Sequence, residues 1–151
     1  MPRQLHRLTV AHVQEIAHAL AVQTMGWDEP IPPFETRFPY VLESCVAMPF
    51  QTFDGKLLYR GLLEKAAALF YLLIKDHPFQ NGNKRLAVTA TLVFLLLNGH
   101  WLALDQKALY NFAVWVASSD PAVKDDVQSA IARFFGKHLV KVPASGGGLD
   151  P

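Results

Sequence analysis

The chain has 151 residues, 51% of them hydrophobic and 18% charged. This composition supports one folded domain with a substantial core and excludes intrinsic disorder over most of the chain. Fourteen basic and thirteen acidic side chains give a formal net charge of +1, which excludes the strong basic excess typical of proteins that bind nucleic-acid phosphates directly or adhere to anionic membranes.

Two further features indicate a cytoplasmic protein. The single cysteine, Cys45, has no partner for an intrachain disulfide, which favours a reducing compartment. The N-terminal residues lack the continuous apolar region of a secretory signal. The most apolar run, residues 86–97, is shorter than the roughly 20 residues that cross a bilayer. We therefore expect no membrane association.

The first part of the chain predicts two helices separated by a loop. Apolar residues recur at three- and four-residue spacing from Val10 onward, with Thr9 as a candidate N-cap, and predict a helix to about Met25. Four prolines within residues 27–39 predict a loop. A short helix is predicted over residues 40–47.

The next element is a predicted β-hairpin. The pair Asp54-Gly55 favours a tight turn because both residues tolerate positive φ. The flanking segments, Gln51-Thr52-Phe53 and Lys56-Leu57-Leu58, would form its two strands.

Four more helices complete the predicted fold. Wide apolar faces predict helices over residues 61–76 and 84–98, and the second, apolar almost all round, should be the central helix. Asp105 and the pair Asp120-Pro121 each provide an N-terminal signal for a further helix.

One dense polar segment, His77-Pro78-Phe79-Gln80-Asn81-Gly82-Asn83-Lys84-Arg85, lies between the two most apolar helices. Pro78 ends the first helix near His77, and Asn83 is a candidate cap for the second. The free N–H groups at the start of that second helix would attract an anion.

The charges in this segment also favour an anion site. Lys84 and Arg85 lie in the first helical turn, where a cation costs about 0.3–1 kcal/mol unless an anion is bound. Arg85 offers a bidentate fork for a phosphate, and His77 could act as a base beside it. An ordinary solvated turn is the simpler alternative for the same residues.

The sequence HPFQNGNKR resembles the signature loop of the Fic/Doc superfamily, and the resemblance extends over roughly residues 5–136. It implies an all-α fold: a compact helical bundle around a central apolar helix, with a small β-hairpin flap. We expect a single Fic/Doc domain over residues 1–140 and a flexible tail over residues 141–151.

The resemblance also implies a role for each residue of the loop. His77 would be the general base that deprotonates a target hydroxyl, Asn81 would hold Mg²⁺, and Phe79 would anchor the loop in the core. The nucleotide phosphates would be bound by Gly82, Asn83, Lys84 and Arg85. In the flap, Gln51, Thr52 and Phe53 would pair with the target chain; a hairpin that merely covers the core is the alternative.

Departures from the family pattern favour one branch. Lys84 stands where the AMP-transferring Fic branch has a second glycine, and Val88 stands where many of that branch have a second arginine. Both departures resemble the Doc (death-on-curing) branch. The implied activity is that of a toxin kinase, which transfers a phosphoryl group from ATP or another nucleoside triphosphate to a hydroxyl of a translation protein such as elongation factor Tu. The alternatives are AMP transfer to a protein hydroxyl and a binding module without turnover. The binding module is an alternative because Asn81 stands where the family has an acidic residue.

No glutamate of this chain lies four residues after a Ser or Thr in the inhibitory motif of some Fic relatives. Inhibition should therefore come from a separate protein. The resemblance implies a Phd-like antitoxin whose disordered C-terminal segment folds into a groove on the toxin. We expect the proline-rich loop and adjoining helical faces to form that groove.

Overall fold

The computed structural model describes residues 5–21 and 32–142. Within them six α-helices form the body of the molecule: α1 Val10–Ala21, α2 Pro39–Ala47, α3 Leu62–Lys75, α4 Asn83–Leu97, α5 Gln106–Ala117 and α6 Lys124–His138. Short 3₁₀ turns cover Phe34–Thr36, Met48–Phe50 and Pro121–Val123. The strands are β1 Thr52–Phe53, β2 Lys56–Leu57, β3 His100–Leu102 and β4 Leu139–Lys141.

Helices α3 and α4 pack against each other at the centre of the fold. α3 also contacts α2, α5 and α6, whereas α4 contacts α1, α5 and β3. The predicted all-α bundle is confirmed, with the difference that α3 shares the centre with α4: every residue from Lys65 to Ile74 is buried. The two most apolar helices therefore bury each other, and a short loop over residues 76–82 joins them.

The predicted helix boundaries agree closely with the observed ones. The Thr9 hydroxyl accepts a hydrogen bond from the backbone N–H of His12 at 3.1 Å, so Thr9 does cap α1. The Asp105 and Asp120 side chains accept from the backbone N–H groups of Lys107 and Ala122. The predicted extension of α1 to Met25, and most of the proline-rich loop, lie outside the described residues.

The hairpin is formed as predicted. Asp54 and Gly55 both have positive φ, 55° and 78°, and β1 pairs with β2 in an antiparallel register that places Phe53 opposite Lys56. Because both turn residues are left-handed, the turn follows the right-handed twist of the strands.

A second small sheet was not predicted. β3 pairs with β4, with Leu102 opposite Leu139 and His100 opposite Lys141. Lys141, assigned to the flexible tail, therefore belongs to a strand, and Val142 donates a further hydrogen bond to the carbonyl of Gly99. The remainder of the predicted tail, residues 143–151, lies outside the described residues.

Among the described residues, no helix combines the length and the apolar character needed to span a membrane.

Candidate active site

The loop between α3 and α4 reverses direction through two left-handed residues. His77 has φ 53° and Gly82 has φ 78°. A residue other than glycine rarely adopts this conformation, which costs about 1–2 kcal/mol. The side chain of His77 is exposed, whereas the neighbouring Pro78 and Phe79 are buried. The local fold thus presents one imidazole to solvent from an otherwise anchored loop.

Asn83 is the side chain that holds this loop together. It is 6% exposed, its Oδ1 accepts a hydrogen bond from the backbone N–H of Phe79 at 3.0 Å, and its Nδ2 donates to the carbonyl of Phe79 at 2.8 Å. The same Nδ2 lies 3.4 Å from Nδ1 of His77. The expected capping role of Asn83 is wrong, because Gly82 is the N-cap of α4 and the Asn83 amide is used to bind the loop.

Aromatic packing anchors the other side of the loop. The Phe79 ring is 1% exposed and lies 6.0 Å from the ring of Phe34, centroid to centroid. The Arg37 guanidinium lies 4.0 Å from the centroid of Phe34, and the backbone N–H of Phe38 donates to the carbonyl of Pro78 at 2.9 Å. Sequence reasoning missed Phe34 and Phe38; the available signal was large aromatic residues within a predicted proline-rich loop.

The first turn of α4 has the properties of an anion site. The N–H groups of Asn83, Lys84 and Arg85 precede the first intrahelical hydrogen bond, which runs from Leu86 to the carbonyl of Gly82 at 2.9 Å. No acidic residue lies in this turn. Lys84 is half-buried and Arg85 is 4% exposed. The positive end of the helix dipole and two cationic residues thus lie in the same helical turn, where a bound phosphate would be stabilised.

A cleft of about 410 Å³ opens on the side of α4 that carries Arg85. Its walls include Glu15 and Ile16 of α1, Val88 of α4 and Tyr110 of α5. The cleft is mainly apolar with charged groups at Glu15 and Arg85, a surface suited to an amphipathic peptide segment.

The residues present do not form a complete magnesium site. Asn81 is exposed and offers one neutral amide oxygen, whereas Mg²⁺ in proteins is usually held by carboxylates together with substrate phosphates. No group of three or more His, Cys, Asp or Glu side chains in the described parts of the chain could hold a metal ion. Magnesium stays a prediction, and no step proposed below depends on it.

The predicted flap is exposed along its whole length. All residues from Gln51 to Leu58 are exposed, which argues against a hairpin that covers the core. The N–H of Leu58 donates to the carbonyl of Gln51 at 3.1 Å. Because hydrogen-bonded and non-hydrogen-bonded pairs alternate in antiparallel sheets, the next pair, Thr52 and Leu57, directs its backbone N–H and C=O groups outward. Thr52 therefore lies on a free strand edge.

Cys45 is not a candidate nucleophile. It is fully buried in α2, and its Sγ lies 3.5 Å from the carbonyl oxygen of Leu72. Burial, with a smaller contribution from the negative charge of Asp76, raises the pKa of the thiol to about 12. The reactive thiolate is therefore suppressed at neutral pH.

Comparison with known proteins agrees with this arrangement. The model of the Fic/DOC family matches residues 4–95, a range that includes both the flap and the loop that carries His77. The chain belongs to the Fic/DOC family. The Fic/DOC match ends within α4, so α5, α6 and the second sheet lie beyond it.

One curated relative is named Toxin Doc, from Mycolicibacterium smegmatis. It is 43% identical over 65 residues, which is 43% of this chain and 50% of the relative. The match thus spans half the length of that relative. No solved structure matches the chain significantly.

Proposed function

We propose that this chain is a Doc-type toxin of a toxin–antitoxin system. In this proposal it transfers the γ-phosphoryl group of ATP to a hydroxyl of a translation protein such as elongation factor Tu. Two observations support this assignment: the relative named Toxin Doc, and the lysine at position 84 of the loop, which resembles the Doc branch.

The observation that carries an enzymatic role is the connection made by Asn83. Its amide contacts both Phe79 and His77, and its own backbone N–H belongs to the first turn of α4. A candidate base and a candidate phosphate site are therefore held in one hydrogen-bonded unit. Such fixed positioning of reacting groups is a major source of rate enhancement.

The proposed reaction is a direct displacement at phosphorus. His77 takes the proton of the target hydroxyl while the hydroxyl oxygen forms a bond to the γ-phosphorus. The bond from the γ-phosphorus to the bridging oxygen breaks, and ADP leaves with that electron pair. The N–H groups of the α4 first turn, with Lys84 and Arg85, would stabilise the negative charge on the phosphates.

In this proposal the flap positions the target. The outward N–H and C=O groups of Thr52 can pair with an extended segment of the target as an added strand. Thr52→Pro removes one outward donor and should weaken modification of the target while nucleotide affinity is retained. Leu57→Pro is the matched control because it removes a donor from the opposite edge of the same hairpin. Equal losses in both variants would contradict docking at the Thr52 edge.

A separate antitoxin is the proposed source of inhibition. We place the antitoxin segment in the cleft beside Arg85, because its walls are mainly apolar and include a residue of the proposed phosphate-binding turn. Val88→Arg should block the cleft. We expect the variant to remain toxic when an antitoxin encoded beside its gene is co-expressed, whereas the wild type is neutralised. Equal neutralisation of both would exclude this cleft as the antitoxin site.

AMP transfer is the second enzymatic candidate. The same base and the same phosphate site would serve it if the nucleotide were bound in the opposite orientation. ATP labelled at the α or the γ phosphate separates the two reactions, because only the transferred group carries its label onto protein. We expect γ label on the target. Transfer of α label would replace the kinase proposal with AMP transfer.

The neutral side chain of Asn81 is the observation that favours a binding module without turnover. If that alternative is correct, the wild type transfers neither label, and Asn81→Asp creates an activity absent from the wild type. We expect instead that the wild type is active.

A further inference from the structure

The flap has no buried residue of its own to hold it in place. Every residue from Gln51 to Leu58 is exposed, and a two-stranded hairpin in isolation is at best marginally stable in water. Its position must therefore be set by the residues at which it joins the body. Those residues are Phe50 on the entering side and Tyr59 on the leaving side, and both are half-buried.

One side chain contacts both of these residues. Lys65, on the first turns of α3, is 3% exposed. Its Nζ donates a hydrogen bond to the carbonyl of Tyr59 and lies 5.2 Å from the centroid of the Phe50 ring. Phe50 in turn packs edge-on against Phe94 of α4, with centroids 6.0 Å apart. A single buried ammonium thus joins the two ends of the hairpin to the central helices.

This arrangement is electrostatically unfavourable for the lysine. Burial lowers its pKa, the neighbouring Glu64 opposes that change, and Arg7 lowers it further. Arg7 also contacts Phe50, with its guanidinium carbon 4.7 Å from the ring centroid. An unbranched apolar side chain would fill the same space without the desolvation cost. The charge is therefore explained by what the ammonium binds, not by packing.

We infer that Lys65 is a positioning residue that fixes the flap relative to the body of the protein, by holding the Tyr59 carbonyl and the Phe50 ring together. The effect on modification rests on the proposed role of the flap in docking the target. The effect on the flap itself does not depend on that role.

The test compares variants of the full chain. Lys65→Met keeps the length of the side chain and removes the ammonium; Lys65→Arg restores a cation and its donors. Lys75→Met is the matched control, because Lys75 lies on the same helix and its Nζ also binds backbone carbonyls, those of Ala117 and Ser119. Phe50→Leu disrupts the same junction from the other side and serves if Lys65→Met does not fold.

Hydrogen exchange of the Leu58 amide reports directly on the flap. Lys65→Met loses the hydrogen bond from the charged Lys65 to the Tyr59 carbonyl, so exchange of the Leu58 amide should be about tenfold faster or more in this variant. Exchange should not be faster in Lys75→Met, and it should return towards the wild-type rate in Lys65→Arg. Unchanged exchange in Lys65→Met, or equal acceleration in Lys75→Met, would overturn the inference. A folded Phe50→Leu variant should show the same acceleration; unchanged exchange there would also overturn it.

Steady-state kinetics then separates the inference from the proposed function. We expect Lys65→Met to raise KM for the protein target about tenfold at nearly constant kcat, since binding of the target is what a displaced flap impairs. If the exchange accelerates but KM does not change, Lys65 still positions the flap, and the proposal that the flap docks the target fails.

Discussion

Replacement of Asn83 by alanine should reduce both the stability of the protein and its activity, and comparison with a second asparagine variant should show that the loss of activity is not caused by the loss of stability. The variant leaves the backbone N–H and C=O of the buried Phe79 without the amide that now binds them at 3.0 and 2.8 Å. Each unsatisfied buried group costs about 1–3 kcal/mol. Since water can enter the loop and satisfy part of the loss, we expect Asn83→Ala to lower the free energy of unfolding by about 2–4 kcal/mol.

The chain provides a close control at the opposite end of the same helix. The Asn98 amide, 9% exposed, accepts from the backbone N–H of His6 at 2.7 Å and donates to the carbonyls of His6 and Phe94 at 3.0 and 2.9 Å. Asn98→Ala should therefore cost a similar amount of stability, about 2–4 kcal/mol by the same reasoning. The two variants differ mainly in which segment they release.

Urea denaturation measures the stability of both variants, and the rate of label transfer to the target measures their function. Under conditions where both variants are folded, the rate of label transfer by Asn83→Ala should fall about 100-fold, because His77 and the phosphate site are no longer held in a fixed relative position. Asn98→Ala should transfer label at the wild-type rate. Equal loss of activity in the two variants would refute the role assigned to Asn83 and attribute both effects to stability.

Three further outcomes follow from the packing and the backbone. Phe79→Ala should lower the free energy of unfolding by about 3–5 kcal/mol, measured by urea denaturation, because it empties a buried site against Phe34; a loss below about 1 kcal/mol would show that Phe79 is not an anchor. Gly82→Ala and Gly99→Ala should each lower the free energy of unfolding by about 1–2 kcal/mol, since both glycines have φ near 80°. Only Gly82→Ala should also weaken nucleotide binding in a titration. Because the pKa of Cys45 is raised from 9.0 to about 12 in the folded protein, this thiol should make stability fall as the pH rises through that interval, by up to about 1.4 kcal/mol per pH unit, and Cys45→Ala should remove this contribution to the slope.

Local signals in the sequence were sufficient for most of the fold. Thr9, Asp105 and Asp120 act within one helical turn of their own position, and the Asp54-Gly55 turn depends on two adjacent residues. Elements of this kind can be predicted because the interactions that define them are near in sequence.

The missed elements depend on distant contacts. β3 and β4 have three residues each, carry no turn signal between them and pair only because the helices bring them together. Trp115 illustrates the same limit: its spacing from the apolar residues of α5 is helical and would favour a core position, but it is 48% exposed, and its ring stacks on that of Phe112 with centroids 5.4 Å apart. Periodicity identifies an apolar face but not how far a neighbouring helix covers it.

The candidate site was predicted as a set of residues but not as a structure. The motif identified the segment from His77 to Arg85, whereas the actual use of Asn83 depends on the loop folding back so that its amide reaches Phe79. The support from Phe34 and Phe38 comes from another part of the chain. Neither contact has a local sequence signature.

The central claim is that His77 removes a proton while the first turn of α4 binds the phosphates. Nucleotide affinity and single-turnover transfer of γ label should be measured on the same samples of the wild type, His77→Ala and Lys84→Met, with His6→Ala as the control because its described hydrogen bonds involve only the backbone of His6. The account predicts that His77→Ala binds nucleotide normally but loses transfer, that Lys84→Met binds nucleotide more weakly, and that His6→Ala behaves as the wild type. Transfer by His77→Ala at the wild-type rate would contradict it.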